Sequence, residues 1–182
     1  MVRLREILLA VFLCAALIET TLAQNEQIFQ STRSFIQEAF VTEPGKPGIL
    51  WVDKNLKPQV RKILIAPPYP LRYRYWRHGA RTAWILEDVG KVLPITTGII
   101  IEEGKILDIR VLTYRESHGS EVRYSAFRKQ FTDARLTEKN TLSKPINGIS
   151  GATLSTNSMK RMSRLALLLH RKIMEKHVLQ KQ

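Results

Sequence analysis

The residues richest in chemistry form one short stretch, NGISGATLST, from Asn147 to Thr156. Gly148 and Gly151 permit backbone angles and close approaches that a β-carbon forbids, while Ser150, Thr153, Ser155 and Thr156 gather hydroxyls where a long helical pattern begins. The first turn of a helix has N–H groups without intrahelical acceptors and a partial positive charge. A phosphate docks on such a turn through backbone alone, and a hydroxyl beside it is placed to be esterified. The plainer reading is a cap, in which the hydroxyl of Thr153 or Ser155 accepts from one of those N–H groups. Spacing alone leaves both readings open.

SGAT followed by Leu154 and a Ser/Thr pair resembles the flavinylation motif of FMN-binding domains, which include flavin-carrying subunits of sodium-pumping NADH:quinone reductase and of related ferredoxin-linked complexes. The family's motif runs Asp, two residues, Ser or Thr, then Gly-Ala-Thr, and its last Thr carries FMN through a phosphoester that a separate flavin transferase makes. By position the implied acceptor is Thr153, with Ser150, Gly151 and Ala152 completing the motif and Gly148 inside it. The chain departs in having Asn147 where the family has Asp. That keeps the shape and removes the charge, so non-covalent FMN stays open beside the phosphoester. A second stretch, YRESHG from Tyr114 to Gly119, is similar to the family's His-x-Glu-Thr-x-Gly segment, with Glu116, Ser117 and Gly119 in register and Tyr114 replacing the His. Two motifs in the family's order are more specific than either alone. The resemblance covers Arg81 to His170 and implies that Glu116 accepts from flavin ring N–H groups or ribityl hydroxyls. From the residues alone, Glu116 is equally an ordinary surface carboxylate.

The start of the chain gives an address. Arg3 and Arg5 precede an apolar run from Ile7 to Ile18, and Thr21-Leu22-Ala23 sets small residues at the spacing a signal peptidase needs, so residues 1–23 are expected to be a signal peptide cleaved after Ala23. The run is short for a bilayer, and Phe12 and Leu13 before Cys14 make a poor lipidation context. Cleavage takes away equal numbers of acidic and basic residues, so the formal net charge stays at +13. It also takes away the single cysteine, excluding a disulfide, a thiolate metal site or a CxxCH haem attachment from the exported chain. Any redox chemistry then comes from a bound cofactor. The histidines, His78, His118, His170 and His177, show no metal-ligand spacing. The basic excess suits an acidic protein surface, anionic lipid or a phosphate-bearing cofactor; export argues against nucleic acid, for which no motif is visible.

These stretches need a frame. Residues 24–70 are expected as a helical accessory segment. Its first helix is capped by Ser31 or Thr32, with Ile28, Phe35, Ile36, Ala39 and Phe40 as its stripe. A turn over Thr42 to Gly48 and an extended run to Val52 follow. A second helix over Asp53 to Ile65 has Pro58 in its first turn. The FMN-binding domain that the resemblance implies is expected over residues 71–182. Leu71 to Arg77 alternates as a strand with one aromatic and one basic face, and Thr82 to Leu86 returns after Gly79. Ile95 to Ile101 and Ile106 to Tyr114 form a hairpin with one buried face, delivering YRESHG to the sheet end. Tyr124, Phe127 and Phe131 either flank an isoalloxazine ring or pack in the core. Met159, Met162, Ala166, Leu169 and Ile173 line the inner face of a closing helix, with Lys160, Arg164 and Arg171 outside.

The fold class expected is α+β, an antiparallel β-sheet flanked by N-terminal helices and a long C-terminal helix. The resemblance implies an exported, periplasmic electron-transfer flavoprotein, a carrier rather than an enzyme, with FMN on Thr153. Its implied partners are the flavin transferase and an acidic redox protein such as a cytochrome or a membrane electron-transfer complex, and membrane association stays open. Two alternatives stand beside it. One is a flavin-dependent reductase or oxidase of a small substrate, against which the chain shows no nicotinamide fingerprint and no acid/base pair. The other is a flavin-free exported binding or assembly module, favoured by Asn147.

Overall fold

The computed structural model describes residues 26–40, 45–65 and 67–179. The expected signal peptide over residues 1–23, including Cys14, and the 42–44 part of the expected turn lie outside the described residues.

One antiparallel sheet organises the rest, in the order β1-β6-β5-β4-β3-β2. The strands are β1 (Gln27–Ile28), β2 (Lys46–Trp51), β3 (Arg72–His78), β4 (Arg81–Val89), β5 (Pro94–Glu102) and β6 (Lys105–Tyr114). The sheet centre follows from the β-branched run of β5, whose residues 95–101 are all buried. Such a run fits a strand covered on both faces. This corrects the expectation of a hairpin with one buried face. Pairing of β6 with β5 steps over Leu107 and Leu112, so each is a bulge that flips the alternation. Ile106, Ile109, Val111 and Tyr114 therefore enter the inner core, while Leu107 and Leu112 pack on the outer side.

The inner face is covered by the long helix α4 (Thr153–Leu179), with Met159, Met162, Ala166, Leu169 and Ile173 buried along it as the periodicity predicts. Helix α2 (Lys57–Ile63) adds Val60 and Ile63 to the same core. It is shorter than expected because Asp53 Oδ1 accepts from the N–H groups of Asn55 and Leu56, at 2.9 and 2.8 Å, and closes a turn ahead of it.

The outer face carries α1 (Thr32–Ala39), capped by Ser31 Oγ accepting from Ser34 N at 3.1 Å. Its Phe35 lies over Gly98, where a β-carbon would come within 2.7 Å of the ring. Ile28 is not on that helix's stripe. It belongs to β1, paired with Thr113 of β6, and is exposed. Residues before 71 thus supply two helices and both edge strands of the sheet.

After β6 the chain runs through a 3₁₀ turn (Ser120–Arg123), the short helix α3 (Ser125–Arg128) and a second 3₁₀ turn (Lys129–Phe131). Phe127 and Phe131 meet edge to face with centroids 5.5 Å apart and are buried, so their role is core packing; Tyr124 is exposed. No helix of the described residues is long and apolar enough to cross a membrane.

Candidate functional site

Helix α4 begins inside the hydroxyl-rich motif. The carbonyl of Ala152 accepts from Thr156 N at 2.8 Å, which makes Ala152 the N-cap, and the N–H of Ala152 donates to Ile149 O at 3.0 Å. Gly151, at φ +80°, supplies the reversal between them. An alanine has no side chain to cap with. Neither Thr153 nor Ser155 takes over: Ser155 Oγ is bonded to the Tyr114 hydroxyl at 2.8 Å, and Thr153 is exposed with no side-chain partner among the described residues. The N–H groups of Thr153, Leu154 and Ser155 consequently find no acceptor among the described residues. The first turn also holds no acidic side chain to offset the positive end of the helix. The capping reading falls, and the arrangement that remains is an anion seat beside a free hydroxyl. One turn in, Thr156 Oγ1 is buried with no hydrogen-bond partner.

The YRESHG segment is what holds this helix start in place. Tyr114, at the end of β6, donates its hydroxyl hydrogen to His118 O at 2.5 Å, so the Ser155 hydroxyl donates to the phenol oxygen. Burial raises the Tyr114 pKa and keeps the phenol neutral. Gly119 sits at φ +91°, and a β-carbon there would lie 2.8 Å from Ser155 Oγ and 2.9 Å from the Tyr114 hydroxyl. Only glycine lets the loop and the helix start close on each other.

Glu116 is neither a surface carboxylate nor wholly free for a ligand. It is 8 % exposed, and its Oε1 accepts from the backbone N–H groups of Lys91, Val92 and Leu93 at 2.5, 2.6 and 2.9 Å. Burial alone would raise its pKa; the three donors outweigh that and hold it below the ordinary carboxylate value. Its Oε2 has no partner among the described residues.

The remaining sequence candidates lie on the surface of the same junction. Ser117 is exposed, with Oγ 3.0 Å from His118 Nδ1. Ser150 is exposed with no side-chain partner among the described residues, and so is the Asn147 side chain. The backbone of Asn147 is clamped by the Gln130 amide, which accepts from its N–H at 2.8 Å and donates to its carbonyl at 3.4 Å. Gly148 meets neither of the demands expected of it, since its φ lies outside the left-handed region and a β-carbon there would have nothing within 4 Å.

Two further contacts were not visible in the sequence. Arg161 Nε meets Asp88 Oδ2 at 2.6 Å, and Ser158 Oγ donates to Asp88 O at 3.2 Å, which ties the second turn of α4 to the end of β4. Neither pair has a local pattern that would have revealed it.

An α+β protein whose long helix starts on open donors, with a free hydroxyl on its first residue, has a helix start of the kind on which an anion can dock. Residues 90–168 match the family model of the FMN-binding domain, the family that the two motifs resemble. Among curated proteins none matches it. The matched stretch opens at the turn that Glu116 holds and includes both motifs, whereas β1 to β4, α1 and α2 precede it. FMN is the cofactor and the chain is a flavin-binding protein.

Proposed function

We propose that the protein is an exported electron carrier whose FMN is anchored through its phosphate at the start of α4, by a phosphoester to Thr153. The observation that carries this is the uncapped helix start, where three N–H groups and the Thr153 hydroxyl are all without partners among the described residues. Bound FMN supplies electron transfer in single or paired steps. The chain's own residues anchor and orient it. The N–H groups of Thr153, Leu154 and Ser155 would donate to phosphate oxygens; in the phosphoester Thr153 Oγ1 would take the place of one phosphate oxygen, the displaced group leaving with the hydroxyl proton, so that the net gain is FMN less one water. Tyr114 and Ser155 keep the helix start against the loop, and Glu116 Oε2 accepts from the cofactor. Attachment through phosphate leaves the redox positions of the ring free. Lys91, on the turn beside Glu116, and the positive end of α4 favour anionic reduced forms of the flavin.

The basic balance of the chain supports an acidic donor or acceptor, such as a cytochrome or a membrane electron-transfer complex, steered by charge. Arg3, Arg5 and the apolar run behind them support export to the periplasm.

Intact-mass analysis of exported protein, made in a host that also expresses a flavin transferase, tests the reading. The expected adduct equals FMN minus water and is absent from Thr153→Val. FMN released on denaturation would show a non-covalent carrier instead, and protein free of flavin in either form would end the proposal. Asn147 carries no charge where the family has one, so Asn147→Asp is expected to raise the flavinylated fraction. An unchanged fraction would remove the missing charge as the limit on attachment.

A further inference from the structure

The sheet's outer face is covered unevenly. Helix α1 packs Phe35, Ala39 and Phe40 against Ala83, Ile100 and Leu112, over β4, β5 and β6. Towards the β2 edge, no helix of the described residues lies over it. There the outward positions of β2 and β3 pair as Pro47 with Trp76, Ile49 with Arg74, and Trp51 with Arg72. Their inward neighbours Leu50 and Tyr73 are buried in the main core, so the alternation fixes which side chains face out. Ile49 is 51 % exposed and Trp51 58 %.

The charges on this face are as one-sided as its cover. Arg72 stacks over the Trp51 ring at 5.5 Å and Arg74 over Trp76 at 4.8 Å, and neither guanidinium has a carboxylate partner among the described residues. Both border a basin of about 480 Å³ whose other walls are Pro47, Gly48 and Ile49. Residues 46–77 hold eight Lys and Arg against one acid, Asp53. The Oδ1 of that acid is engaged by the turn before α2, so it offers the face little compensation.

We infer that this bare face of β2 and β3 docks the protein on an anionic lipid bilayer, with headgroup phosphates in the Arg72–Arg74 basin and Ile49 and Trp51 at the edge of the hydrocarbon. The face offers guanidinium donors and apolar side chains but no acceptors. A layer of phosphodiesters over acyl chains supplies acceptors in the plane of the arginines and an apolar medium just beneath. An acidic protein surface would satisfy the arginines but set polar groups against Ile49 and Trp51. All six outward residues precede residue 90, outside the matched FMN-binding domain, so the surface belongs to the chain's own N-terminal part. The helix start of α4 packs on the opposite face, so a docked molecule keeps its flavin site clear of the bilayer.

The test compares sedimentation of the full chain with neutral phosphatidylcholine vesicles and with vesicles containing roughly a third phosphatidylglycerol. Binding through the apolar Ile7–Ile18 run appears on both, so the ratio between the two vesicle types is the readout. The ratio is expected to fall about 25-fold in R72Q/R74Q, each arginine near an anionic surface being worth roughly fivefold, and to collapse in high salt. R72K/R74K, which keeps the charges, is expected to retain most of it. Brominated acyl chains should quench Trp51, and Trp51→Phe should remove most of that quenching, leaving the share of the half-buried Trp76 on the same face. An unchanged ratio in R72Q/R74Q, or quenching undiminished in Trp51→Phe, would overturn the proposal. So would vesicles without preference alongside Arg72- and Arg74-dependent retention of polyglutamate, which would make the face a protein-docking site. Flavin content is expected to be the same in every variant, so this proposal and the flavin reading fail separately.

Discussion

At the start of α4, three backbone N–H groups and the Thr153 hydroxyl have no partner among the described residues, and no acid stands in the first turn. About 25 Å further along the same helix, His170 is buried with both ring nitrogens bonded. Its Nε2 accepts from Gly104 N at 3.2 Å, so Nδ1 carries the proton and donates to Thr82 Oγ1 at 2.7 Å. The same oxygen accepts from Trp84 Nε1 at 2.9 Å. Burial pushes the His170 pKa down to about 4 and keeps the ring neutral. Around His170 the helix is closed by the protein itself; at its start, donors are left without partners among the described residues. Polar groups that a fold leaves open, at a place it holds rigidly, mark where a ligand belongs.

The contrast predicts that the two ends fail differently. Thr153→Val is expected to remove flavin attachment entirely while shifting unfolding by less than about 0.5 kcal/mol, because an exposed side chain without a partner is replaced. His170→Ala is expected to do the reverse. It opens a cavity and strands the Gly104 N–H and the Thr82–Trp84 pair, at a cost of about 3 kcal/mol in denaturant titration, and the folded protein still takes up flavin. Loss of flavin in that variant without loss of stability would break the contrast.

The acid response should come from the closed end. The folded pKa of His170 is about 4 against an ordinary 6.5, so the unfolded chain binds the proton first as pH falls. Its contribution is complete above pH 6.5 and is lost on descent to about pH 4, on the order of 3 kcal/mol in all. Stability measured across that window should slope less in His170→Gln; an equal slope would assign the response elsewhere. An effect on both stability and attachment is expected at the junction of the two motifs. Gly119→Ala forces a β-carbon against Ser155 Oγ at positive φ and should cost about 1–3 kcal/mol, with a lower flavinylated fraction because the helix start is displaced.

Elements with local patterns were legible in the sequence. The β-branched run of β5, the inward stripe of α4 and the Ser31 cap each follow from residues within a few positions of one another. What escaped depends on residues far apart in the chain. Ile28 looks helical by spacing yet pairs with β6, and the bulges at Leu107 and Leu112 exist only in relation to β5. At the site, the motif residues were legible through their family resemblance, but their division of labour was not. Cap preferences put a hydroxyl at the helix start, whereas Ala152 stands there and Ser155 turns to Tyr114. The resemblance singled out Glu116, but its grip on the 91–93 turn was not legible, because its donors are backbone groups with no signature.

Tandem mass spectrometry of the tryptic peptide Asn140–Lys160, from protein exported by a flavin transferase-expressing host, tests the central claim most directly. The expected result is FMN, less one water, localised on Thr153. The adduct on Ser150, Ser155 or Thr156, or an unmodified peptide from a host that flavinylates a control domain, would contradict the assignment of the open end of α4 as the anchoring site.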